Sequence, residues 1–402
     1  MTLVEDIRKD IKTCTMDKKE IVDKQDQRSF DKTGPDGLHP CIFKEATGEM
    51  EKYKTLVAVY PFHLFVNQTH QQDHLSEKMG WPVTVQIEAI CYPILALIGV
   101  PANLMTIVIL SRGKCGLSKC ITRYLVAMAT ADLLVMIFDV ILYAINDIYF
   151  PYSFLNYTCV CRINLSLIYF VIDCSVWLTV TFTLDRFVAI CCRNLRTKYC
   201  TEKTAALVIV TVCGLSFLEN LPIYFMFEPS EIIDNTSWFC NVQSNFYTSP
   251  AWIAYLWLDS ILTPFAPFVL IFLLNALTIR HILAANIIRR GLQGNNGENQ
   301  NDPEMRNRRK SIILLLAISG NFVLLWMLTL MYYMCVQIAD SQFLQTDYTD
   351  SFTSMEKAGY LLQRFSSCSN TIIYAVAQTK FREELMNTVK SPFTLIIKLM
   401  KH

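Results

Sequence analysis

Apolar residues in this chain gather into long runs rather than short alternating stretches. Runs at about 85–111, 121–145, 160–192, 204–228, 251–284, 311–337 and 357–378 are long and apolar enough to be read as membrane-spanning helices. The last is the shortest and carries Gln363 and Arg364. The polar segments between them alternate in charge. One set holds Arg112, Lys114, Lys119 and Arg123, then Arg193, Arg196, Lys198 and Lys203, then Arg289, Arg290, Arg306, Arg308, Arg309 and Lys310. The other holds Glu228, Glu231 and Asp234, then Asp340, Asp347 and Asp350. Positive charge is retained on the cytoplasmic side, so the basic set faces the cytoplasm and the amino terminus faces out.

The pattern predicts an all-α membrane protein, a seven-transmembrane helix bundle over 85–378. It follows a polar extracellular segment, 1–84, and precedes a short cytoplasmic tail, 379–402. Residues 1–84 hold no apolar run of signal-peptide type and read as a disordered tail, leaving the first spanning run as the targeting signal. The composition agrees, with 52% hydrophobic and 18% charged residues. The lipid bilayer is the first expected partner, at the plasma membrane, and no nucleic acid is expected.

The sequons at Asn67, Asn156 and Asn235 all fall on the expected outer side and read as glycosylation sites, whereas Asn164, inside the third run, reads as a chance match. Most of the 15 cysteines, among them Cys91, Cys174, Cys213, Cys335 and Cys368, lie within the runs as small packing residues. There is no CxxC metal motif, no HExxH and no nucleophile elbow, so no enzyme is indicated.

Asp185-Arg186-Phe187 stands at the inner end of the third run. A charged pair is costly next to hydrocarbon and belongs at the membrane boundary, where it marks a functional site. Counting back from Arg186 to Cys161 gives a helix of roughly 37 Å, so Cys161 emerges on the oxidising side. Cys240 in the second outer loop is its expected disulfide partner. Cys159 competes for it, and the helix register favours Cys161.

Further marks accompany these. The first run carries Gly99-Val100-Pro101-Ala102-Asn103 and the second Ala129-Thr130-Ala131-Asp132-Leu133-Leu134. The third carries Ser175 and Trp177, the fifth Pro267, the sixth Phe322 and Trp326, and the seventh Asn370-Thr371-Ile372-Ile373-Tyr374. Lys380-Phe381-Arg382-Glu383-Glu384-Leu385 then reads as an amphipathic helix on the inner leaflet. In joint order and spacing over roughly 85–390 the chain resembles the rhodopsin-like G-protein-coupled receptors. Within them, Gly99 through Arg112, Trp177 and Leu221-Pro222 resemble the orphan receptors responsive to aromatic amino acids. Where those receptors carry acids on outer helix three and an arginine on helix six, this chain has Leu165, Ile168 and Thr329, so an amino-acid ligand does not transfer.

The resemblance implies an extracellular ligand, a heterotrimeric G-protein partner and an eighth, cytoplasmic helix. It makes Asp185, Arg186, Asn370, Tyr374, Trp326, Phe322 and Pro267 the activation switch. Asp132, Ser175, Ser367 and Asn370 become a pocket for an allosteric sodium ion, beyond which no cofactor or metal is implied. A polar network that merely ties helices together is the competing reading of the same residues. Several positions depart from the family: Leu328 and Thr371 replace prolines of helices six and seven, Asn275 replaces a tyrosine, and Arg308 replaces an acid that would hold Arg186.

The same register brings Asp173, Glu219 and Asp259 to similar depth on helices three, four and five, either to await a cation or to hydrogen-bond as neutral carboxyls. Arg364 faces the cavity, within reach of Asp139, and an agonist carboxylate would compete for it. Ile168, Tyr169, Asp173, Asp259, Tyr333 and Arg364 form the candidate ligand pocket, with Trp326 and Tyr332 as further aromatic walls. Ile168 stands where amine receptors hold an aspartate, and Arg364 where opsins hold a lysine, so neither function is expected. A non-signalling homologue and an ion-coupled transporter are the alternatives; no inverted repeat supports the second.

Overall fold

In a computed structural model, the residues described are 83–246, 249–292, 303–338 and 349–399. Asn67, Cys14, Cys41 and most of the 1–84 tail lie outside them, as do parts of the loops before α6 and α7. The long helices are α1 (Val83–Ser111), α2 (Lys119–Tyr149), α3 (Thr158–Cys191) and α4 (Glu202–Met226). They continue with α5 (Pro250–Ser260 and Ala266–Leu292), α6 (Pro303–Ile338), α7 (Thr349–Ala377) and the amphipathic α8 (Thr379–Leu399). The sequence pattern places the spanning runs to within a few residues, except that α5 ends about eight residues later and α6 and α7 each start about eight residues earlier.

Segments of α1 through α6 are long and apolar enough to cross a membrane. Large apolar side chains face outward along them, such as Leu97 on α1, Leu207, Val210 and Leu218 on α4, and Phe272 on α5. In lipid this outward apolar surface carries no penalty, which is why the bundle lacks the usual polar exterior. Helix α7 is the polar one because its polar face turns inward: Glu356, Arg364, Ser366, Ser367, Ser369, Asn370 and Thr371 are all buried. Its weak hydropathy therefore reflects inward partners.

Helix α3 runs through the middle, packed against α2, α4, α5 and α6, while α7 closes the ring between α6 and α1. Towards Arg186, one core joins Tyr124, Leu125, Met128, Leu178, Phe182, Leu314, Ile318, Tyr374 and Phe381. The edge contact of the Tyr374 and Phe381 rings, 5.9 Å between centroids, seats α8 against the end of α7.

Two features depart from the expected regular helices. Residues Met136–Ile145 of α2 are wound as a π-helix, and Ile261–Phe265 interrupts α5. At Thr263 the backbone is extended (φ −145°, ψ 106°) ahead of Pro264, which has no N–H to give and excludes a helical residue before it. The expected continuous fifth helix is corrected accordingly. Its irregularity falls at Thr263-Pro264, whereas Pro267 sits buried in the first turn of the second half, where a missing N–H is tolerated. In α6, by contrast, Leu328 leaves an unbroken helix.

The loop between α4 and α5 folds as an antiparallel hairpin, β1 (Phe227–Ile233) and β2 (Thr236–Val242), turning at Asp234 and Asn235, both at positive φ. Cys161 at the start of α3 is disulfide-bonded to Cys240 on β2, while Cys159 stays free. Asn235 is exposed at the hairpin turn. The Asn156 amide is instead engaged on both sides, donating to the Pro151 carbonyl at 2.6 Å and accepting from Asn146 at 2.9 Å. A glycan on its nitrogen would have to break the first of these bonds. Asn164 is buried within α3.

Candidate functional site

The π-wound part of α2, the break in α5 and the polar face of α7 leave a cavity of about 760 Å³ towards the disulfide end. It contains all six residues of the sequence-predicted pocket: Ile168, Tyr169 and Asp173 on α3, Asp259 on α5, Tyr333 on α6 and Arg364 on α7. Trp326, Tyr143 and Tyr360 complete the aromatic walls. Tyr332, expected among them, is not part of the lining; it is buried on another face of α6, towards Glu356. Adjacent residues on a helix point about 100° apart, and here that turn carries Tyr332 away from the cavity that Tyr333 lines.

Arg364 is a buried charge held by neighbours on α1 and α2. Its Nε and Nη2 donate to the two Asp139 oxygens at 2.8 and 2.7 Å, and its Nη1 to the Tyr92 hydroxyl at 2.5 Å. The guanidinium also lies 4.7 Å from the centre of the Tyr92 ring. Tyr92 in turn donates to Glu88, which pairs with Lys357 at 3.1 Å. The Arg364–Asp139 pair was legible from the seven-residue spacing of Asp139 from Asp132. The extension through Tyr92, Glu88 and Lys357 was not, because α1 and α7 meet only in the closed ring.

On the opposite wall the ligand-capable atoms of Asp173, Glu219 and Asp259 lie within 4.8 Å of one another, as the register predicted. Asn220, absent from that prediction, holds Asp173 by donating to its Oδ2 at 2.6 Å while also donating to the Ser216 carbonyl of its own helix.

Beneath this cavity lies a second, of about 420 Å³, which shares Asp139, Ile172, Trp326, Gln363 and Arg364 with the first. It reaches Ser175, Ser367 and Asn370. Ser175 donates to Asp132 Oδ1 at 2.7 Å, Asn370 donates to Oδ2 at 2.8 Å, and the Ser367 hydroxyl bonds the same carboxylate. The sequence-predicted quartet is thus assembled from α2, α3 and α7. Asn103 ties in α1 by donating to the Ser367 carbonyl at 2.9 Å. One carboxylate and two hydroxyls offer hard oxygens of the kind that fit a sodium ion, while the Asn370 amide braces the carboxylate.

Phe322 and Trp326 stack 5.1 Å apart on α6, against Val176, Val180 and Ile271. Below them, Asn275 and Ser319 exchange hydrogen bonds of 2.8 and 3.1 Å across α5 and α6, and Asn321 donates to Ser369 at 2.9 Å across α6 and α7. Thr371, standing where a proline was expected, bonds Thr106 of α1 at 2.9 Å.

At the far end, roughly 27 Å along α3 from Ile168, Arg186 is ion-paired with Asp185 and reaches Ser311 at 3.5 Å. Both charges are buried. The thiols of Cys120 and Cys200 donate to Asp185, the first to its carboxylate and the second to its carbonyl. Burial, followed by the neighbouring Asp185 charge, pushes the Cys200 thiol up to about 11, so it remains a protonated donor near neutral pH. Of the sequence-predicted switch residues, Tyr374 packs beside Phe381. Of the basic segment Arg289 to Lys310, residues 293–302 lie outside the described residues.

A helical bundle with an apolar exterior, a cavity at one end and a restrained arginine at the other defines a membrane-spanning receptor. The seven-transmembrane receptor model of the rhodopsin family matches residues 102–374, and the chain belongs to that family, the G-protein-coupled receptors. It is similar to the FMRFamide receptor of Drosophila melanogaster, 24% identical over 304 residues that make up 72% of this chain and 51% of that one. It is also 24% identical over 314 residues to the C5a anaphylatoxin chemotactic receptor 1 of Danio rerio, covering 76% and 81%. The chain thus spans about half the length of the first relative and most of the second.

Proposed function

We propose that this receptor binds an extracellular ligand in the cavity at its disulfide end and activates a heterotrimeric G protein through Arg186. The observation that carries the reading is the shared lining of Trp326, Arg364 and Asp139. A ligand in the upper cavity touches the same side chains that bound the lower one and the Phe322–Trp326 stack. Differential contact in two states is what allows a ligand to shift their balance. The basic loops favour a cytoplasmic Arg186 end and an extracellular amino terminus. The names of the two relatives support a peptide or small-molecule ligand. The resemblance to receptors for aromatic amino acids rests on the Gly99–Arg112 run, and the cavity walls at Leu165, Ile168 and Thr329 speak against an amino-acid carboxylate there.

Asp185 restrains Arg186 at rest, and movement of α6 frees it towards the G protein. Arg186→Ala should reduce G-protein activation, basal and ligand-driven, to the level of cells lacking the receptor while surface expression persists. Activation that survives the substitution would sink the reading. The unbroken α6 at Leu328 favours a smaller swing than a proline-kinked helix allows, which is the observation behind the second reading, a receptor that binds without signalling.

Sodium bound at Asp132, with Ser175, Ser367 and Asn370, supplies one positive charge that favours the resting state. Raising sodium should raise the melting temperature of the purified receptor, and Asp132→Asn should abolish that dependence. A sodium response equal in both proteins would leave only the interhelical network.

A further inference from the structure

We infer that the cavity recognises its ligand by a positively charged group, an ammonium or guanidinium, seated against Asp259 and Asp173. The inference rests on the cavity being the ligand site and names the chemistry it takes. Three observations combine. First, three carboxyl groups from α3, α4 and α5 lie within 4.8 Å of one another, and among the described residues no lysine or arginine is bridged to them. Carboxylates so close repel unless a cation or a proton separates them. Second, they are unequal. Asp173 is held by Asn220, whereas Asp259 makes no hydrogen bond among the described residues, is half-buried and lines the cavity. Third, Asp173 and Asp259 open into a cavity large enough for a ligand, with Thr263, Pro264 and Trp326 beside them in its lining.

The other charged wall does not compete for this role. Arg364 already shares both Asp139 oxygens and the Tyr92 hydroxyl, so an anionic ligand group would have to displace a carboxylate held by two hydrogen bonds. The walls between, Tyr143, Tyr169, Tyr333, Tyr360 and Trp326, offer ring faces that attract cations and accept an apolar ligand body. Asp173 lies five residues beyond Ile168, roughly 7 Å deeper along α3, so the cation sits in a different place from one gripped beside Ile168.

The test uses the full-length receptor purified in detergent, with 2-phenylethylamine, 2-phenylethylguanidine and agmatine as probes and 2-phenylethanol as the uncharged match. The cations should raise the melting temperature in a saturable way and the alcohol should not. Asp259→Asn should weaken that apparent affinity at least tenfold, and Asp259→Glu should retain the preference for charge, which controls for a variant that fails to fold. Equal stabilisation by the alcohol, no stabilisation by any cation, or an unchanged response in Asp259→Asn would overturn the inference. The Arg186→Ala receptor separates the two proposals. Cations that bind it normally uphold the inference even if no signal follows, and Arg186-dependent signalling without cation binding upholds only the proposed function.

Discussion

Replacing Asp139 with leucine should be the most damaging single change in the bundle, costing about 3–5 kcal/mol, the usual result of removing one partner from a buried ion pair. Asp139 and Arg364 are each 4% exposed, and their two hydrogen bonds join α2 to α7. Without Asp139 the guanidinium keeps only the Tyr92 hydroxyl and ring from the contacts described above, in surroundings where a lone charge is poorly tolerated. The double variant Asp139→Leu/Arg364→Leu should recover much of the loss, because two apolar residues incur no such desolvation penalty. Melting temperature and surface expression of the three proteins read this directly. A single variant as stable as the parent, or a double variant no better than the single, would mean that the pair is not the clamp described.

Gly99→Val should follow closely, at about 1–3 kcal/mol or more from overpacking. A Cβ at Gly99 would stand 2.5 Å from Cys368 Sγ and 2.7 Å from Met136 Sδ. These atoms belong to α7 and α2, so the added side chain wedges α1 from both neighbours at once. One turn on, Asn103 donates to the Gly99 and Ser367 carbonyls at 3.0 and 2.9 Å, and those bonds would be the first to lengthen. The expected signs are poor surface expression and a lowered melting temperature, relieved in part by Met136→Ala in the same chain. Normal stability of Gly99→Val would show that α1 can move away without loss.

Both sites show how far local pattern reaches. Asp132, Asp139 and Asp185 are conspicuous because charge within an apolar run is rare, and their partners Arg364 and Arg186 stand out for the same reason, with Asn370 as a polar residue in the seventh run. Gly99 could be noticed, but the close approach it permits depends on two other helices. Asn220, Tyr92 and Thr329 are individually unremarkable residues. They matter only because folding sets them beside Asp173, Arg364 and the cavity.

The chain's own sequence determined the number and order of the spanning helices, the side that carries basic charge, and the buried polar positions. Each of those follows from the expense of exposing polar groups to hydrocarbon, a property that residues carry locally. The π-wound part of α2, the seating of the Cys240 hairpin against α3 and the polar partners of α7 were decided by the tertiary structure, whereas the break at Thr263-Pro264 follows from the proline itself. The tertiary features depend on which neighbour folding brings within a few ångströms, 79 positions away for Cys161 and Cys240 and 225 for Asp139 and Arg364. Helical periodicity fixes the face on which a side chain lies but not what that face will meet.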